Sequence, residues 1–217
     1  MSYARDERAA LYRLLETSGP EAPTLCEGWQ TRHLAAHLVL RERRPDAAVG
    51  ILGGPLATHT ERVLTYLAAT TAYPRLVDLV RTGPPRISPF RIPGMEEKLN
   101  LVEFFTHHED VRRAAGGWDP RDLGPGETEV LWQRLRLARL NLRRVAVGVE
   151  LVRDDLPSIP GRRQVRITVK ARTPVVTVTG HPAELMLWAM GRRAVARVRL
   201  DGSDSDVSLL RQASWRV

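Results

Sequence analysis

"LARLNLRRVAVGVELV", residues 137–152, is where the chain changes its period. Up to Arg144 the apolar residues recur at three- and four-residue intervals. Leu131, Leu135, Ala138 and Leu142 fall on one stripe, as in a helix packed along one side. From Val145 onward the residues are β-branched and alternate, and "RQVRITVKA" and "VVTVTG" repeat the habit, so strands begin here. The expected architecture is therefore α+β, with an all-helical domain over residues 1–143 and a small α+β domain over 144–217.

Toward the N-terminus, helices are predicted over 3–17, ended by Gly19-Pro20, and from near Trp29 to about Arg44, before Pro45. Residues 57–82 are helical but interrupted at Pro74, which is tolerated in a first turn, so two pieces are expected, 57–72 and 74–82. "GPPRISPFRIPG", 83–94, has four prolines and two glycines and reads as a loop. Helices follow at 96–115, closed by Gly116-Gly117, and at 126–143. Beyond the first strands, "HPAELMLWAMG" predicts a helix, "AVARVRLDG" a strand and "DSDVSLLRQA" a short final helix.

With 217 residues and 43% hydrophobic content the chain can bury a sizeable core. No run of eighteen apolar residues predicts a membrane span, and "MSYARDERAALYR" lacks the apolar stretch of a signal peptide. The expectation is a soluble, cytoplasmic protein without a membrane partner. A net charge of +8 suggests nucleic acid, but the distribution argues against it. Arginine supplies all of the basic residues except Lys98 and Lys170, and the arginines are interleaved with 25 acids along the whole chain. Cys26 is the single cysteine, which excludes an internal disulfide and a multi-cysteine zinc site.

The chemistry concentrates in "NLVEFFTHHEDVRR", residues 100–113. On a helix, His107 lies about 40° from Glu103 and Asp110 about 20° away on the other side, with Asn100 on the same face. His108 points about 140° from Glu103, so it cannot join the same site. A Glu and a His at i and i+4 can reach one cation, and first-row divalent metals accept both donor types. A third ligand must come from elsewhere, and "HLAAHL" offers His33 and His37. The plainer reading is an amphipathic helix with a surface Glu–His pair, in which Asp110 serves Arg112 or Arg113. His59 and His181 stand alone near helix starts and read as caps or surface residues. Cys26 precedes a helix and reads as an inert loop thiol or one of lowered pKa. The five tryptophans read as core or lid material.

Three stretches together resemble the mycothiol-dependent maleylpyruvate isomerase family, a branch of the DinB-like four-helix bundles. "LCEGWQTRHLAAHLV" (25–39) is similar to its N-terminal motif and "VEFFTHHEDVRRA" (102–114) to its second. "VTGHPAELMLWAMGRR" (178–193) is similar to its small sterol-carrier-like α+β C-terminal domain. The resemblance implies that His37, Glu103 and His107 bind a divalent metal, usually zinc, and that Asp110 orients His107. His33 stands where the family more often has an acid, which makes it a pocket or supporting residue. "VRTGPPRISPFRIPGMEEKLN" (80–100) resembles an actinobacterial subgroup of metal-binding relatives rather than the isomerase proper.

The resemblance further implies a zinc-dependent enzyme that uses mycothiol, a low-molecular-weight thiol, for isomerisation or transfer. An acidic small-molecule substrate would meet an arginine of the second domain, with Arg192 and Arg193 the candidates. Two alternatives remain open: hydrolysis by metal-bound water, and a metal-binding sensor or interaction module without turnover. Oligomeric state is not legible.

Overall fold

The computed structural model describes residues 2–85, 95–157 and 164–213. It is α+β, and the chain divides into two compact units, Met1–Pro120 and Arg121–Val217. The boundary thus falls ahead of the expected one at residue 143. No helix among the described residues is long and apolar enough to cross a membrane.

The first unit is helical: α1 (Tyr3–Ser18), α2 (Thr31–Arg43), the short α3 (Pro45–Ala48), α4 (Ala57–Thr70), α5 (Tyr73–Thr82) and α6 (Met95–Ala114). Pro74 sits in the first turn of α5, where its missing N–H costs nothing, so the break between α4 and α5 falls where expected. Helix α1 packs on α6 and α5, and α2 on α4 and α5. Leu11 and Leu15 of α1, Leu34 and Leu38 of α2, Leu76 and Val80 of α5, and Phe104 and Val111 of α6 meet in one core. The start of α1 is tied to α6 by Glu97, which accepts hydrogen bonds from Ser2 Oγ (2.9 Å) and Ala4 N (3.1 Å). The proline-rich stretch expected to be a loop lies largely outside the described residues.

The second unit opens with α7 (Pro125–Arg134), followed by 3₁₀ turns at Leu135–Arg139 and Leu142–Arg144. The single helix expected over 126–143 is therefore cut short. In a 3₁₀ turn residues three apart eclipse, which buries Leu135 and Ala138 together while Leu137 and Leu140 face solvent. Helix α7 packs on α8 (Pro182–Ala189) and the first 3₁₀ turn on β2, so this segment joins the sheet rather than the helical unit.

The sheet comprises β1 (Gly148–Arg153), β2 (Arg166–Lys170), β3 (Val175–Gly180) and β4 (Arg199–Asp201), in the order β2-β1-β3-β4. Strands β1 and β3 are parallel and the other pairs antiparallel. Gly148 is required at the start of β1, because a Cβ there would lie 1.9 Å from the Arg172 carbonyl oxygen. The strand expected over 194–202 is reduced to three residues. Upstream, the Arg197 amide donates to the Glu184 carboxylate (2.8 Å) and the Ala196 amide to Arg192 O (3.0 Å), so neither is available to a ladder. Helix α9 (Asp204–Gln212) closes the chain, with Ser203 accepting from the Asp206 amide at its N-terminus.

Candidate metal centre

Helix α6 is enclosed on nearly all sides between Phe104 and Val111, so its polar side chains must find partners inside the protein. They do so on different faces. His108 meets Glu7 of α1, Nδ1 to Oε2 3.0 Å, and both are buried. Glu109 accepts from Arg113, its neighbour four residues on, and from Arg112 Nε at 3.1 Å. Asp110, fully buried, turns to His107.

Three donor atoms from two helices converge. His37 Nε2 lies 2.8 Å and His107 Nε2 3.3 Å from the same oxygen, Oε1 of Glu103. The three atoms are all within 4.8 Å of one another. The imidazoles meet edge to face, centroids 5.1 Å apart, and the Trp29 ring covers His37 at 5.3 Å. Donors about 2.0–2.2 Å from a tetrahedral zinc stand roughly 3.4 Å apart. The separations from Glu103 are near that value, so the three groups could hold one ion, and two nitrogens with one carboxylate oxygen suit zinc chemically.

Asp110 Oδ2 lies 2.8 Å from His107 Nδ1. When the ring is neutral, as a metal ligand must be, that bond places the proton on Nδ1 and leaves the Nε2 lone pair directed at the Glu103 side. Cys26 donates its thiol to the same Asp110 oxygen, 3.2 Å away, and its Sγ is 4.0 Å from His107 Nδ1. Cys26, Asp110 and His107 Nδ1 are thus a second close group of donor types. Their separations match a hydrogen-bonded support for His107, and an ion there would have to displace both bonds to Asp110. The thiol is held in place because the loop before α2 is pinned to α6, Leu25 N donating to Asp110 O at 3.1 Å. Thr24 Oγ1 bonds Trp29 O at 2.8 Å and closes the same loop.

The other candidates have partners of their own. His33, expected beside the site, accepts from the Gln30 amide (3.1 Å) and forms half of a capping box at the start of α2. Arg192 and Arg193 lie in the second unit, engaged with its own carbonyls: Arg192 with Met190 O, and Arg193 with Leu210 O (3.3 Å) and Arg211 O (3.0 Å). Cys26 is no isolated loop thiol. Arg41 escaped the sequence reading altogether: its Nε is 3.6 Å from Glu103 Oε1. The signal was available, since Arg41 follows His37 by one helical turn and shares its face. His181 caps α8 by accepting from the Ala183 amide, and His59 sits on the surface near Asp46, both as expected.

The three groups shift one another's proton affinities. Burial pushes His37 below the ordinary histidine value, outweighing its bond to Glu103. Burial would lower His107 too, but the bonds to Asp110, Cys26 and Glu103 win, and its pKa rises well above the usual range. Burial would raise Glu103, yet the bonds from His107 and His37 and the charge of Arg41 hold it well below the carboxylate range. Without metal, His107 is thus an imidazolium between two carboxylates. Its raised pKa adds stability fully present below about pH 6.5, lost as pH rises through the raised value. Metal uptake must expel that proton. Calorimetry in two buffers of different ionisation enthalpy should therefore find about one proton released per metal at pH 7. Melts of metal-free protein should fall as pH climbs above 6.5. Asp110→Asn should weaken metal about 10–100-fold by removing the orienting carboxylate.

Residues 2–92 match the family model described as the mycothiol maleylpyruvate isomerase N-terminal domain. Comparisons with curated proteins and with solved structures return no match. The matched span includes α1, α2 and His37, whereas Glu103 and His107 follow it on α6. Its helical content agrees with the first unit of the structure, and over this N-terminal part the chain is similar to the mycothiol maleylpyruvate isomerase N-terminal domain family.

Proposed function

We propose that the chain is a zinc-dependent enzyme that takes a low-molecular-weight thiol, mycothiol, as nucleophile for isomerisation or transfer on an acidic small molecule. The observation that carries the reading is the convergence of His37 Nε2 and His107 Nε2 on one oxygen of Glu103. Three protein ligands are the catalytic arrangement of zinc, since a fourth position stays available to water or substrate. When bound there, the ion lowers the proton affinity of a coordinated thiol or water. Asp110 keeps His107 in the tautomer with Nε2 free, and Trp29 shields one face of His37 from solvent.

In this reading α1, α2, α4 and α6 are the DinB-like four-helix bundle and Arg121–Val217 the sterol-carrier-like domain, and the protein works in the reducing cytoplasm. Titrating mycothiol into cobalt-substituted protein tests the thiol role. A thiolate-to-metal charge-transfer band should grow to saturation. A cobalt protein whose spectrum ignores the thiol would favour hydrolysis by bound water, or a metal-binding module without turnover.

A further inference from the structure

Behind Glu103 runs a line of polar groups that no coordination role requires. Arg41 Nη1 donates to Asn100 Oδ1 (2.5 Å), and Asn100 is fully buried. The Asn100 amide nitrogen reaches Glu42 Oε1 at 3.5 Å. Glu42 in turn accepts from both terminal nitrogens of Arg8, one at 2.8 Å, and the Arg8 guanidinium stacks over Phe104 at 4.4 Å. Arg8 and Glu42 cancel each other's charge. Arg41 faces Glu103, with its guanidinium held by Asn100 from behind.

Exposure gives the line a direction. Asp110 is sealed, and the His37 and His107 side chains are 9% and 10% exposed, while Arg41 and Glu103 reach 16% and 20%. The side of the site most open to solvent is therefore flanked by Arg41. With a divalent ion in place and both histidines neutral, Glu103 and Asp110 cancel the ion's charge. The Arg41 guanidinium then stands as a positive charge beside whatever ligand takes the remaining position.

From this we infer that Arg41 makes the metal centre selective for anionic ligands, such as thiolates, carboxylates and small inorganic anions, over neutral ones. The inference rests on the metal reading above and adds a selectivity residue to it. Arg41 acts through space on the incoming ligand, and Asn100 positions it. A unit charge within several ångströms, partly screened by solvent, is worth about tenfold in anion affinity.

The test uses the full chain loaded with cobalt, followed by its visible spectrum. Thiocyanate is the anionic probe and imidazole the neutral one. Arg41→Gln should keep its cobalt, weaken thiocyanate about tenfold and leave imidazole unchanged, while Arg41→Lys should restore most of the thiocyanate affinity. Equal thiocyanate affinity in the parent and Arg41→Gln would overturn the inference, as would an equal loss for both probes. Loss of cobalt from Arg41→Gln would overturn it as well, because the side chain would then be holding Glu103 in place. Failure of the parent chain to bind cobalt at all would sink the metal reading itself, and is recognised by the absence of any ligand-field spectrum.

Discussion

If the proposed site is right, protein carrying His107→Ala should retain less than about a tenth of the zinc retained by the parent chain, by elemental analysis after equilibration with stoichiometric metal. The substitution removes one of three donor atoms, and it also frees the Asp110 carboxylate and the Cys26 thiol from the ring they support. Two remaining ligands, His37 and Glu103, do not hold an ion against buffer. The neighbouring His108→Ala is the control. His108 pairs with Glu7 on another face of α6, so its loss should leave metal content close to the parent value. It should instead cost about 2–3 kcal/mol of stability, because the buried Glu7 carboxylate loses its contact with the imidazole. Full metal retention by His107→Ala, or its loss in His108→Ala, would show that the site lies elsewhere on the helix.

Glu42→Ala should be the most damaging single change in the helical unit, lowering stability by about 3–5 kcal/mol in urea unfolding of metal-free protein. The guanidinium of Arg8 is buried against Phe104, and its two terminal nitrogens are taken up by Glu42. Removing the carboxylate takes this counter-charge from a buried cation that also donates to the Val80 carbonyl, 3.0 Å away. Truncating both partners to apolar residues, Arg8→Met with Glu42→Leu, should recover most of the loss, since the penalty comes from the stranded charge. Arg166→Ala is the contrast. Its pair with Glu150 is half exposed on the sheet edge and should change stability by less than about 1 kcal/mol. If Glu42→Ala unfolds at the parent's urea midpoint, the buried pair contributes nothing to the fold.

Several elements follow from local rules alone. Pro74 at the first turn of α5, Gly116 and Gly117 beyond α6, and the β-branched composition of β1 to β3 each act within a few residues, and the structure agrees with them. The 3₁₀ turns after α7 were not legible in the same way. Leu131, Leu135, Ala138 and Leu142 suit a helical stripe as well as the observed path, and the choice depends on packing against β2 and α8. The short β4 has the same origin: "AVARVRLDG" has strand composition, but Glu184, thirteen residues upstream, takes the amide of Arg197.

The candidate site divides along the same line. Glu103, His107 and Asp110 share a face because helical dihedrals repeat every 3.6 residues, which is a property of one segment and readable from spacing. Spacing within "HLAAHL" could not choose between His33 and His37. That choice turned on how α2 approaches α6, with His33 spent on the cap and His37 carried inward. Glu7 against His108, Cys26 against Asp110 and Arg41 against Glu103 are likewise meetings between residues far apart in the chain. Local periodicity settles which side chains travel together on a helix. Which groups they meet depends on the packing of the helices against one another, and burial makes those meetings compulsory because an unpaired polar group inside the core is too costly to leave.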